Sequence, residues 1–445
     1  MSLHDSDYYK GLSSLFGGFL VHLTFGTFYT LGNVNTYLSS YLRKYVDNEA
    51  DYTSAIWINA SFMFGQGLVM IVGGILERKI GARLTVLIGS TIFSLAVMST
   101  YYSIKRGFGL VVLSYGFLSS LGCGIGYIAP LSNSMKWFPR RKGLVSGITV
   151  AGFGLGALIF NQVQTMYLNP GNYPPSSSGY FEDEAILLRV PSLFVMLGAI
   201  YLVMQIIGAL LIFSPPLLRN EIITSDGCLL ISQIPDSVNN EGYSSCEDSS
   251  TGTEHSEHSN KEDLKLSEAL RSSEFFKMWI MFALVSQGVQ FMNTMYKAFG
   301  QLFIKSDHFL VFVGSMASLF NAGGRIFWGL ILDATSFRKT FISMCSIICI
   351  LMLTFILTQW AESKLLYFMW VCAIFFSCSG MFVIFPTATA LVFGKSHAGA
   401  IYGLLFTAPA VISLVGAFLF QKIQKELDWF GSFFFIVVLT VIDKF

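Results

Sequence analysis

The chain of 445 residues is 53% apolar and 15% aromatic, with only 12% charged residues and a net charge of +1. A soluble domain carries roughly a quarter charged residues, so half that density cannot cover a globule of this length. These figures exclude a soluble enzyme, a disordered regulator and a collagen-like or disulfide-rich secreted protein. With no basic run longer than Arg140-Arg141-Lys142, they also exclude a nucleic-acid partner.

Residues 1–11 are a polar start carrying Asp5 and Asp7, expected to be a cytoplasmic segment without the basic start of a secretory signal. Apolar runs then follow near 12–38, 54–76, 84–104, 108–134, 142–167 and 190–213. A bilayer-spanning helix needs about 20 apolar residues, and each run is close to that or longer. Residues 214–273 break the pattern. Ser, Asp, Glu and Asn dominate them without an apolar period, which predicts a disordered cytoplasmic linker with a short helix over 264–271. Apolar runs resume near 274–298, 308–332, 339–360, 365–392, 397–421 and 429–445. Barrel strands would alternate apolar and polar residues in segments of about ten. These runs are longer and apolar on all sides, and a backbone in hydrocarbon must satisfy its own hydrogen bonds, which leaves helices. The expected fold class is an all-α polytopic membrane protein. It has twelve transmembrane helices in two six-helix bundles, 12–213 and 274–445.

Trp57, Trp137, Trp279, Trp360 and Trp429 fall at expected helix ends, as an aromatic belt would place them. Lys and Arg are nearly balanced between alternate loops. The tighter clusters at 78–83, 140–142 and 338–339 favour a cytoplasmic side that holds both termini and the linker. Cys123, Cys345, Cys349, Cys372 and Cys378 lie in apolar runs and read as packing residues, while Cys228 and Cys246 lie in the linker. No disulfide, metal or cofactor is expected.

The two halves echo each other. Phe138 is followed by a basic loop and then Gly143 and Gly147; Phe393 is followed by Lys395, His397, Gly399 and Gly403. The step from Gly74 to Arg78 in "GGILERKIGAR" matches the step from Gly329 to Asp333 in "GRIFWGLILDATSFRK". Parallel repeats of six spans, with a path between them, are a transporter plan. On these residues the chain resembles the major facilitator superfamily over almost its full length. "GIGYIAPLSNSMKWFPRRKGLVSGITVAGFGLGA" (124–157), "NAGGRIFWGLILD" (321–333) and "IYGLLFTAP" (401–409) resemble the oxalate/formate antiporter family, akin to monocarboxylate transporters. The resemblance implies transport of small carboxylates and a substrate-binding Arg at position 325.

Two departures qualify the resemblance. The family's gating Asp after the second helix is replaced by Arg78, with Glu77 beside it, while Asp333 keeps the second copy. The gate is then wired differently, or Glu77 substitutes through a small rotation. The eleventh helix carries Pro409 after Thr407-Ala408, where carriers of the oxalate dianion place a Lys. One of the two cations a dianion needs is therefore missing.

Arg325 lies well inside the eighth span, where a charge is costly and marks a site or a partner. It either binds a carboxylate with its planar fork or ties helices together through backbone carbonyls or Asp333. His22, mid-way along the first span, either couples protons to anion movement or stays neutral and bonds a neighbouring helix. Lys297 either snorkels to the interface or supplies the second cation. Tyr127, Tyr29, Asn321, Gln287 and Gln290 are candidate cavity lining, or ordinary helix-to-helix bonds. Glu77, Arg78, Arg83, Arg140 and Asp333 are candidate gating residues. No phosphate-cradling Gly-rich loop with Lys and Ser/Thr occurs, which argues against ATP drive and enzyme activity.

The expected function is secondary active transport of a small organic anion by alternating access, through exchange or proton symport. The expected partners are the bilayer, the anion and, if His22 titrates, protons, with the chain acting as a monomer. The plasma membrane is the default location, with an organelle membrane as the alternative. The rival is a non-transporting sensor of the same fold, signalling through the linker.

Overall fold

The computed structural model describes residues 3–48, 55–171, 173, 176, 180–215, 264, 266–300, 302–304, 306–394, 396–426 and 429–442. The expected disorder of the linker falls on 216–263, outside the described residues. Every regular element among the described residues is helical.

Helix α1 runs Leu3–Phe25, tightens into a 3-10 turn at Gly26–Thr30 and continues as Leu31–Tyr45. It is longer than the apolar run that announced it. Residues expected to form a polar leader are helical from Leu3, with Asp7 paired to Lys10 at 3.1 Å. At the other end the polar Asn33 is accommodated because its amide donates to Gln164 and Thr165 of α5. Helices α2 (Ala55–Ile80) and α3 (Ala82–Ser103) follow. Helix α4 combines Phe108–Val111, a π-helical stretch Val112–Leu118 and Ser119–Trp137. Helix α5 is Lys142–Leu168, and α6 joins Glu184–Leu187 to Arg189–Leu210.

The described linker end holds a short helix, Leu266–Ala269, inside the stretch expected to contain one. Then come α7 (Ser273–Gly300), α8 (Asp307–Ala334) and α9 (Phe337–Thr354 with Leu357–Trp360). Helix α10 (Lys364–Cys378, Met381–Val392) and α11 (Ala398–Leu405, Thr407–Glu426) are each broken once, and α12 is Trp429–Ile442. Pro409 sits in the first turn after the α11 break, a position where helices tolerate proline. Among the described residues, ten helices are long and apolar enough to cross a membrane. Helices α8 and α12 occupy the remaining two expected positions.

Lipid explains the surface. On α3, Leu84, Ile88, Ile92 and Leu95 form an exposed stripe at helical spacing, while Val86, Phe93 and Val97 on the opposite face are buried. Water would penalise that stripe and hydrocarbon does not. The protein is a multi-pass integral membrane protein. Four of the five tryptophans lie at helix ends as expected. Trp279 instead lies two turns inside α7, where its indole N–H donates to Thr407 Oγ1 at 2.9 Å.

The first six helices pack on one another through α3 with α6 and α4, α2 with α4, and α1 with α5. The last six pack through α8 with α10, α7 with α11, and α9 with α12. The two sets meet along α5 with α8 and α2 with α11. Glycines make both meetings possible. A methyl group on Gly143 would strike the Gly329 carbonyl, and one on Gly147 would lie 2.5 Å from the Arg325 carbonyl oxygen. In the repeat-related seam, Gly74 abuts Gly399 and Ala400, and Gly403 abuts Ile71. The glycines that echo in the sequence are thus positions of close backbone approach between the two sets.

Candidate functional site

Arg325 is 1% exposed, at the middle of α8. Its Nε donates to Asn321 Oδ1, one turn earlier, at 3.0 Å, and its Nη1 donates to the Val150 carbonyl of α5 at 2.7 Å. Nη2 has no hydrogen-bond partner. The guanidinium lies over Phe382 of α10 at 4.7 Å and over Phe153 of α5 at 5.7 Å from the ring centres. Arg325 thus ties two helices together through a backbone carbonyl and keeps one donor edge unused. The expected pairing with Asp333 does not occur, because that carboxylate is engaged elsewhere.

Aromatic rings surround this guanidinium. The 3-10 turn of α1 carries Tyr29, which meets Phe153 edge-on at 5.3 Å and lies within electrostatic reach of Arg325. Tyr127 of α4 stands between His22, at 4.6 Å, and Phe153, at 5.8 Å. The His22 Nδ1 sits 2.9 Å from the Gly18 carbonyl of its own helix, so the ring bonds within α1 rather than to a neighbouring helix as expected. Its Nε2 is buried without a partner.

Arg325, Asn321, Tyr29, Tyr127 and His22 are thus brought together. Gln290 is half-buried on α7, and Gln287 beside it reaches the Ile412 carbonyl at 3.4 Å. The Lys297 side chain lies outside the described residues.

The expected gating residues separate into those that cross between the two sets of helices and those that do not. Asp333 crosses. Its two carboxylate oxygens accept from the backbone N–H groups of Gly143 and Leu144, both at 2.8 Å, at the start of α5. Exposed N–H groups and the helix dipole make that terminus a good partner for a carboxylate. Arg78 also crosses, with Nη1 at 2.8 Å from the ring of His397 at the start of α11. Glu77 does not cross and does not replace the missing Asp. It is buried and pairs with Lys136 of α4 at 2.6 Å. Arg83 donates to the carbonyls of Ile212 and Leu210 at 2.9 and 3.1 Å, so it closes the end of α6 instead of the interface. Arg140 is exposed in the turn before α5.

Sequence reasoning passed over Tyr402, Phe382, Lys136, Lys142 and His397 as site residues. Lys142 is buried and donates to the Ala390 carbonyl of α10 at 3.3 Å, another link between the halves. Its placement last in a basic run that leads into a Gly-rich helix was the available signal. For Tyr402 the only signal was its place in a motif shared with the second half of a family.

A sequence profile of the Major Facilitator Superfamily matches residues 15–417. The chain belongs to this superfamily. This major facilitator is 30% identical to apicoplast pyruvate carrier 1 of Toxoplasma gondii, over 95% of the chain and 85% of that protein. It is 23% identical to the oxalate:formate antiporter of Oxalobacter formigenes, over 84% of the chain and 75% of that protein. Its fold matches a crystal structure of the Escherichia coli fucose:proton symporter with a TM-score of 0.57 at 13% identity, over 96% of the chain and 98% of that one. The major facilitator fold, a transporter rather than an enzyme, is therefore established.

Proposed function

We propose that the chain is a secondary active transporter of small organic monoanions such as formate, lactate or pyruvate, working by alternating access through exchange or proton symport. The observation that carries this reading is the buried Arg325 with an unused donor edge among aromatic rings. A guanidinium in so dry a place needs a counter-charge, and a carboxylate supplies one. Two relatives whose names specify carboxylates support the same class. In this reading bundles 12–213 and 274–445 rock about the site.

One fixed cation neutralises one negative charge. Oxalate would keep a second charge in a poorly hydrated site, where desolvation costs several kcal/mol per ion. Counterflow in proteoliposomes with a panel of labelled carboxylates is therefore expected to favour monoanions over oxalate by about tenfold. Oxalate outcompeting formate and lactate would overturn the assignment. Binding without any exchange would favour the sensor reading.

Asp333 and the Arg78–His397 pair hold the two seams closed at one end in this reading. An N-cap carboxylate contributes about 1 kcal/mol, so Asp333→Asn is expected to shift the balance toward the opened seam about fivefold. Ser146, buried beside Thr387 at 3.3 Å, is a suitable reporter. A cysteine introduced by Ser146→Cys should label faster with an impermeant maleimide in the Asp333→Asn background. Equal labelling rates would remove Asp333 from gating.

A further inference from the structure

Three buried polar atoms in one neighbourhood lack hydrogen-bond partners: Arg325 Nη2, His22 Nε2 and the Tyr402 hydroxyl. Burial without a partner is costly for any one of them, and the three are linked through a continuous set of rings. Tyr402 is 1% exposed on the first segment of α11. Its ring stacks on Phe282 at 6.2 Å and meets Phe406 at 6.0 Å, and Phe406 faces Tyr127 at 6.4 Å. The hydroxyl is within electrostatic reach of both Tyr127 and Arg325.

The three atoms offer different chemistry. Arg325 Nη2 can only donate. The His22 Nδ1 faces a carbonyl and must carry the ring proton, so its neutral Nε2 can only accept. The Tyr402 hydroxyl can donate without any change of protonation. An acid with an oxygen on the carbon next to its carboxylate presents two acceptors a short distance apart. The Phe153, Phe382 and Phe406 rings supply apolar surface beside these groups.

We propose that Tyr402 is a specificity-determining residue that donates to this second oxygen, which makes the site one for monocarboxylates with an oxo or hydroxyl oxygen at the 2-position. The inference rests on the monocarboxylate reading above. The carboxylate takes Arg325 Nη2 from α8, the 2-oxygen takes the Tyr402 hydroxyl from α11, and the short alkyl end meets the rings. The His22 lone pair repels both oxygens and orients the acid away from α1. A site built to donate to an oxygen rejects the analogue that lacks it, because the donor then stays buried and unpaired.

The test compares pyruvate with propionate, which has the same chain length and no 2-oxygen, as competitors for labelled pyruvate counterflow by the full chain in proteoliposomes. The wild type is expected to prefer pyruvate by about tenfold. Tyr402→Phe keeps the ring and its stacking and removes only the hydroxyl. The preference should fall to about unity through weaker binding of pyruvate. Thermal stabilisation of the purified protein by each acid reads the same ratio where turnover of the variant is too slow to follow. An unchanged ratio in Tyr402→Phe overturns the proposal. A wild type that takes up both acids equally also overturns it and leaves the monocarboxylate reading standing. A wild type that takes up neither acid sinks that reading itself.

Discussion

Arg325→Gln is expected to abolish carboxylate uptake while leaving a folded, membrane-inserted protein. The substitution removes the buried positive charge of Arg325, so an entering carboxylate would stay uncompensated there. Losing one partner of a buried charge pair costs about 3 kcal/mol or more, equivalent to about a hundredfold in binding. The fold should survive because Gln keeps an amide that can donate across to the Val150 carbonyl, which is the tie that Nη1 makes between α8 and α5. Arg325→Lys should fall between wild type and Gln. It keeps the charge but cannot hold Asn321 and Val150 while presenting a third donor edge. Uptake of labelled pyruvate and formate, normalised to monodisperse protein in detergent, checks both variants. Wild-type uptake by Arg325→Gln would remove the residue from the site.

Lys136→Met should destabilise the protein strongly without touching the Arg325 site. Glu77 is 6% exposed and its carboxylate is held by Lys136 at 2.6 Å. Removing the ammonium leaves that carboxylate buried without a counter-charge, a loss of about 2–3 kcal/mol once the part-exposure of Lys136 is allowed for. Glu77→Gln combined with Lys136→Met should recover most of it, because a neutral amide needs no counter-charge. Thermal denaturation of wild type, each single variant and the double variant in one detergent reads the coupling. A single variant as stable as wild type would show that the pair contributes nothing.

The fold was legible because hydrocarbon imposes a composition no soluble protein shares, and length then counts the helices. The breaks within helices were not. At the 3-10 turn Gly26–Thr30 the α1 backbone comes against the Phe153 backbone of α5, a contact that no local pattern in "GTFYT" announces. Arg325 was legible because a lone charge in "LFNAGGRIFWG" stands out against its neighbours. Tyr402 was not, because a tyrosine in an apolar span usually bonds a nearby helix. Only the packed structure shows its hydroxyl without a partner. Glu77 misled for a related reason: adjacency to Arg78 suggested a shared role across the seam. The buried partner that claims its carboxylate is Lys136, on another helix, far away in sequence.

The seam between α5 and α8 is backbone against backbone at Gly143, Gly147 and Gly329. Surfaces without knobs can slide without any side chain changing rotamer, so the friction of this joint is low. What pins it is polar, and the deepest pin is the Arg325–Val150 bond at 2.7 Å. The same guanidinium is the charge that a carboxylate would seek. An anion drawing Arg325 toward itself loosens the pin, and an empty site lets it re-form. Cargo can move such an equilibrium only as far as its affinity differs between the two arrangements. Placing the latch and the lure on one side chain is a direct way to create that difference.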